Sequence, residues 1–285
     1  MNKTNKLNNI TKKLSPKSKV RKGKRAKKKA RRELKVDGRS AIAASVLALA
    51  LAIIPLAVRY TSKGDTGDPV PEGRYRYCLD ISHHNGGRIE WDSLLVITNR
   101  SGRTCSEIGE ASDAVRPSFI FIKATEGANF TDRRFRKNWE EAGERAWLRR
   151  GAYHFYRSGT DPVKQAEHFL KTTGTLSHGD LPPMLDVETM GPGCTKAELN
   201  EGVRLWLETV SAATGRTPII YTPDSYANDI LSSEITGKYP VWAAHYRVKQ
   251  PKFGNWKMWQ FTDNAIVHGI KGKADLSVVS PRFNP

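Results

Sequence analysis

Asp186 and Glu188 close the apolar run Leu181-Pro-Pro-Met-Leu-Asp-Val-Glu188, two carboxylates separated by a single residue. In an extended strand, residues i and i+2 point to the same face, so both acids leave the backbone on one side with Cα atoms about 6 to 7 Å apart. The apolar residues ahead of them predict a buried strand whose polar tip emerges at its C-terminal end, where barrel enzymes carry their chemistry. Asp80 and Asp275 fall at or near the C-terminal ends of two further predicted strands. Carboxyl groups gathered at one mouth suit glycoside cleavage: one stays protonated to donate to the leaving oxygen, and others, ionised, stabilise an oxocarbenium-like centre or orient a nucleophile. Neighbouring acids raise one another's proton affinity, which makes such a split in protonation easy to reach.

The elements that must position these acids alternate along the chain. Strands are predicted over Arg76 to Ile81, Phe119 to Lys123, Gly151 to Phe155, the carboxylate run itself, and near Pro218 to Tyr221, Val241 to Ala244, Lys257 to Phe261 and Ala274 to Val278. Helices are predicted over Thr131 to Trp147, Asp161 to Thr173 and Thr195 to Thr214. The last is the best specified: Thr195-Lys-Ala-Glu198 is a capping box, Leu199, Val203, Trp206 and Val210 form one apolar stripe, and Gly215 ends it. Eight strands alternating with helices indicate an α/β fold, an irregular (β/α) TIM-like barrel. The spacings between Tyr221 and Val278 leave little room for crossovers, so fewer than eight helices and some antiparallel pairing are expected.

Charge divides the chain. Residues 1–39 hold 17 of the 47 Lys and Arg against two acids, Glu33 and Asp37, and so supply most of the net charge of +18. This basic tail has no aromatic residue to stack on bases, which favours a disordered, lipid-facing flank over a specific nucleic-acid contact. Residues 40–58 carry no charge over nineteen positions, long enough as a helix, at about 28 Å, to cross a bilayer once. The positive-inside bias puts the tail in the cytoplasm and the C-terminal part outside the cell membrane. A cleaved signal peptide followed by secretion is the competing reading, disfavoured by the length of the run and the lack of a clear small-x-small site after it. Residues 59–73, rich in Gly, Pro and acids, read as a linker, and residues 74–285 as the catalytic barrel.

Other residues carry weaker signals. Cys78, Cys105 and Cys194 allow one bridge at most, with Cys105 and Cys194, both in predicted loops, the first pair to test. His83, His84, His154 and His245 lie near predicted strand ends without an HExxH pattern, so no metal site is assigned to them. Trp139, Trp147 and Trp206 sit at helical spacing and read as core. Glu126 either lines the cleft or pairs with Lys123.

An ordered series of short motifs then resembles a known family. Tyr77-Cys-Leu-Asp-Ile-Ser-His-His-Asn-Gly86, Ile89-Glu-Trp91, Phe121-Ile-Lys-Ala-Thr-Glu-Gly127, Asp132, Gly151-Ala-Tyr-His-Phe-Tyr156, Leu185-Asp-Val-Glu188, Ile220-Tyr221, Trp259-Gln260 and Gly272-Lys-Ala-Asp275 together are similar to the family 25 glycoside hydrolases, the Chalaropsis-type lysozymes. The resemblance implies an N-acetylmuramidase that hydrolyses the β-1,4 bond between N-acetylmuramic acid and N-acetylglucosamine in peptidoglycan, without a cofactor. It implies Glu188 as general acid, Asp186 as the group that orients or stabilises the 2-acetamido substituent, and Asp80 and Asp275 as the rest of an acidic floor. Tyr156, Tyr221 and Trp259 would contact sugar rings. The partner is then the peptidoglycan glycan strand, met by a monomeric catalytic domain. Two rivals come from other classes: a binding barrel that has lost turnover, and a metal-dependent polysaccharide deacetylase.

Overall fold

The computed structural model describes residues 66–85 and 89–285. The basic tail and the proposed membrane span lie outside the described residues. Eight strands close into a barrel: β2 (Arg76–Ile81), β6 (Phe119–Glu126), β8 (Arg149–Phe155), β9 (Met184–Asp186), β10 (Ile219–Pro223), β11 (Val241–Ala244), β12 (Trp256–Ile266) and β13 (Lys273–Val279), in the order β2-β13-β12-β11-β10-β9-β8-β6 with β6 returning to β2. Seven of them run parallel, whereas β13 is antiparallel to both of its neighbours. All eight predicted strands are present.

Alternation along these strands builds two separate apolar layers. Inside the barrel, Cys78, Phe119, Phe121, Tyr153, Met184, Tyr221, Trp242 and Met258 pack on one another. The residues one position along face the helices, including Leu79, Ile120, Ile122, Leu185, Val187, Ile220 and Trp259. Both faces are thus buried, as the near-continuous apolar runs require. The interior leaves no spare room at β8: a Cβ at Gly151 would lie 2.5 Å from Cε1 of Phe121 and 3.0 Å from Cβ of Leu181. Gly151→Ala is therefore expected to destabilise the domain by about 1–3 kcal/mol through overpacking, read as a lower urea midpoint with an unchanged m-value.

Among the described residues there are five α-helices, α1 (Phe135–Gly143), α2 (Pro162–Thr173), α3 (Lys196–Thr214), α4 (Asp224–Asp229) and α5 (Ser233–Lys238). The capping box at Thr195 and Glu198 is complete, and Gly215 adopts the left-handed conformation, φ 66°, that ends the helix. Asp161 caps α2 by accepting from the amides of Val163 and Lys164. Helix α1 is shorter than the predicted Thr131 to Trp147. Phe130 and Thr131 instead form a short strand, β7 (Phe130–Thr131), on the end of β6, and the Asp132 carboxylate accepts from the His83 and Arg134 amides.

A second sheet of four strands, β1 (Thr66–Pro69), β4 (Arg103–Cys105), β3 (Val96–Asn99) and β5 (Ala111–Val115), was not legible in the sequence. It corrects two expectations. The linker contains a strand: Thr262 donates to the Asp68 carboxylate, and a Cβ at Gly67 would meet Thr104 Oγ1 at 2.2 Å and the Asn264 carbonyl at 2.5 Å, so this segment is docked against β4 and β12. The three cysteines are free thiols; Cys105 is buried in β4 and Cys78 inside the barrel, and no bridge joins Cys105 to Cys194.

Candidate active site

The mouth formed by the C-terminal ends of the parallel strands opens on a cavity of about 370 Å³ lined by Asp80, Asp186, Glu188 and Asp275 together. That is within the size range of small-molecule sites. Register explains the convergence. Asp186 on β9 stands opposite Phe155 on β8 and Tyr221 on β10, and Asp80 on β2 stands opposite Asp275 on β13. Asp275 reaches this mouth by a different route from the one expected. Because β13 runs antiparallel, the mouth receives its N-terminal half, not its C-terminal end.

Burial and mutual repulsion govern how the four acids titrate. Asp80 is held well above the usual carboxylate range by burial and by the charge of Asp275, against a hydrogen bond from Gln260 that favours ionisation. Asp275 is pushed up to about 6, first by burial and then by the charges of Asp263 and Glu188. Asp80 stands opposite Asp275 across the β2–β13 pair, and the charge of Asp275 favours the protonated form of Asp80. Asp186 is also held well above its ordinary value, by burial and by the charges of Glu188 and Asp80. Glu188 is raised by burial, tempered by a hydrogen bond from Tyr221 and by the charges of Lys123 and Arg157. The cluster therefore resists full ionisation.

A raised carboxyl pKa has a consequence for stability. The contribution of a neutral Asp275 is fully present below the unfolded-state pKa near 4 and is lost as pH rises through about 6. Between pH 4.5 and 7.5 the melting temperature of Asp275→Asn should accordingly fall less than that of the wild type, by about 2–4 °C for each kcal/mol of relieved charge burial. Calorimetry across that range decides it; parallel curves would contradict the assignment of the strained charge to this residue.

Around the acids stand Lys123, Glu126, Tyr153, Phe155, Arg157, Tyr246 and Gln260. Glu126 does both things the sequence allowed. It lines the cavity, and it accepts from Lys123 Nζ at 2.6 Å and from Arg157 Nε at 2.9 Å. Burial alone would raise it, but these two cations outweigh burial and hold it below its usual value. The Lys123 ammonium also lies 4.8 Å from the Phe155 ring centroid. One atom has no partner among these groups: Oδ1 of Asp186, buried and without a hydrogen bond.

Tyr221 lines the cavity as expected, but Tyr156 and Trp259 do not. Tyr156 follows Phe155 by one residue and so faces the helices, where its hydroxyl fills the space over Gly202 of α3; a Cβ there would lie 2.0 Å from it. Trp259 precedes Gln260 by one residue and turns outward, its indole donating to the His245 carbonyl at 2.7 Å. The missed residues occupy the in-facing phase of the same strands: Tyr153 and Phe155 on β8, Gln260 on β12 and Lys123 on β6. Tyr246 lies on the loop after β11, where no periodicity marks it.

The histidines fall into separate structural roles. Nδ1 of His83 lies 2.7 Å from Asp132 Oδ2, and His245 approaches Asp224 at 3.1 Å. His154 is buried between the Thr125 hydroxyl and the Gln165 carbonyl oxygen, and burial lowers its pKa to about 4. Because Gln165 uses its amide nitrogen on the Arg157 and Thr160 carbonyls, its oxygen faces His154, which is therefore neutral and protonated on Nε2.

Comparison with known proteins converges on one family. Residues 79–270 match the family model of the glycosyl hydrolases family 25. The chain is 39% identical over 211 residues to the uncharacterized protein YegX of Escherichia coli K12, covering 73% of this chain and 71% of that one. It is 31% identical over 211 residues to lysozyme M1 of Streptomyces globisporus, covering 69% and 65%. Among solved structures, the bacterial lysozyme of Streptomyces coelicolor superposes with a TM-score of 0.60 at 29% identity, covering 75% of this chain and 94% of that one.

Proposed function

Because this chain belongs to glycosyl hydrolases family 25, we propose that it is a lysozyme-type muramidase that hydrolyses the β-1,4 bond between N-acetylmuramic acid and N-acetylglucosamine in peptidoglycan. The observation that carries the reading at the level of residues is the unpartnered, buried Oδ1 of Asp186 beside the raised carboxyl of Glu188. A buried oxygen without a donor is costly unless a ligand supplies one, and the N–H of a 2-acetamido group is such a donor. Donation to Asp186 favours its ionised form and leaves the proton of the pair on Glu188. Glu188 then protonates the departing glycosidic oxygen, the C1–O bond breaks toward that oxygen, the ionised Asp186 stabilises the positive charge developing in the sugar, and water finally forms the new bond to C1 while its proton passes to the carboxylates of the site. Asp80, whose protonated form the charge of Asp275 favours, and Asp275 form the floor.

Two other readings are separable by assay. A muramidase releases reducing sugar from peptidoglycan and is indifferent to chelator. A polysaccharide deacetylase would release acetate and lose activity with chelator, and a binding barrel would release neither. Reducing sugar without acetate is the expected result.

The same reading extends to location. The uncharged residues 40–58 after a basic tail favour a single-pass anchor with the catalytic domain outside the cytoplasm. Full-length protein should then stay with membranes on carbonate extraction; its release would rule the anchor out.

A further inference from the structure

A second cavity, of about 730 Å³, is built from the same two loops that carry Arg157 and Glu188 to the barrel mouth, those after β8 and β9. Ser158 and Thr160 come from the first loop, Gly191 and Cys194 from the second, and the opening turns of α3 complete the walls. Pro162, Pro192, Ala197 and Leu205 make those walls largely apolar. The charged groups lining it, among the described residues, are two acids and no cation. Glu201 accepts from Arg204 Nε at 2.9 Å. Glu198 accepts only from the neutral amide and hydroxyl of Thr195, both at 2.8 Å, so its charge is not balanced by a cation.

Tyr156 reaches this cavity at Gly202. It is 2% exposed, yet no described residue hydrogen-bonds to its hydroxyl. A phenol withdrawn from water needs a partner, and here only a bound molecule can bring one. The site is also close to the chemistry. Gly191 follows Glu188 by three residues, so their Cα atoms lie within about 11 Å of each other, and Ser158 directly follows Arg157.

We propose that this cavity binds the peptide stem carried by the lactyl group of muramic acid, so that the protein reads a peptide-bearing glycan in preference to the bare sugar chain. The inference rests on the muramidase reading of the barrel mouth. A stem has the chemistry that these walls complement: alanine methyls for the apolar surface, peptide groups to exchange a hydrogen bond with the Tyr156 hydroxyl, and the amine of its diamino acid for the Glu198 carboxylate. Four extended residues span about 13 Å, enough to cover the interval from Glu188. A further N-acetylated sugar would bring no cation to the two acids.

Cys194 gives a readout that does not depend on turnover. Its thiol lines the cavity and is partly exposed, whereas Cys78 and Cys105 are buried. In full-length Glu188→Gln protein, modification of Cys194 by N-ethylmaleimide is followed by mass spectrometry in the presence of three probes: N-acetylglucosaminyl-N-acetylmuramoyl tetrapeptide, the same disaccharide without peptide, and the free tetrapeptide. At about ten times its calorimetric Kd, the peptide-bearing disaccharide should slow modification about tenfold, because only the unoccupied fraction reacts. The free tetrapeptide should protect at higher concentration, and the bare disaccharide should not protect. Tyr156→Phe removes the hydroxyl, and Glu198→Gln removes the charge while glutamine still completes the capping box. Each should raise the protecting concentration by about twofold to tenfold with the melting temperature kept.

Unslowed modification with the peptide-bearing disaccharide bound, or equal protection by the bare disaccharide, would overturn the stem site. Failure of the wild-type protein to cut peptidoglycan would instead defeat the muramidase reading, and protection by the free tetrapeptide would still decide the stem site.

Discussion

Glu188→Gln should lose peptidoglycan hydrolysis by about 10²–10⁴-fold while the domain melts at or above the wild-type temperature. The range is that of a positioned general acid, and the retained fold follows from the site. Glu188 makes no salt bridge among those of the described residues, and burial disfavours its charged form, so a neutral amide of the same shape removes a strained charge and no ion pair. The measurement pairs initial rates of reducing-sugar release with calorimetry on the same preparation. A variant that is both inactive and unfolded would say nothing about catalysis, which is why the amide is preferred to alanine. Wild-type turnover would remove Glu188 from the mechanism.

Asp186→Asn should cost about 10²-fold or more, and mostly in kcat. The asparagine carbonyl can still accept from an acetamido N–H, so substrate binding is largely kept. The full negative charge that would face the sugar as the glycosidic bond breaks is what disappears, and an interaction made mainly in the transition state lowers kcat more than it alters KM. A loss below tenfold, or one confined to KM, would contradict that role. Because Asp186 is buried with one unpartnered oxygen beside Glu188 and Asp80, the variant should also be at least as stable as the wild type at neutral pH. Loss of activity with gain of stability would mark the residue as one retained for chemistry.

The parts of this site that were legible in the sequence are those that depend on period. The Asp186 and Glu188 pair shares a face because strands alternate, and the closed barrel follows from eight apolar runs spaced by helices. What failed was phase. Tyr156 and Trp259 are each one residue from the in-facing set, and a one-residue error carries a side chain to the opposite layer. In a barrel buried on both faces, composition does not tell the inside of a strand from the outside: Tyr153 and Tyr156, or Trp259 and Gln260, differ only in which layer they enter. Pairing register resolves it, since Phe155, Asp186 and Tyr221 stand abreast on β8, β9 and β10. The direction of β13 was equally hidden, and with it the way Asp275 reaches the mouth. The added sheet from β1, β3, β4 and β5 escaped because its strands are short and β5 is largely exposed, so hydrophobic alternation barely marks it.

The central claim, that the acids of one barrel mouth cleave the glycan at muramic acid with Glu188 as proton donor, is tested most directly by the chemical identity of the new chain ends. Purified peptidoglycan is digested with wild-type protein and with Glu188→Gln, the products are reduced with borohydride, and the reduced sugar is identified. Muramitol-ended fragments from the wild type, and none from the variant over the same time, are the expected result. Glucosaminitol ends, or muramitol ends formed equally fast by the variant, would contradict it.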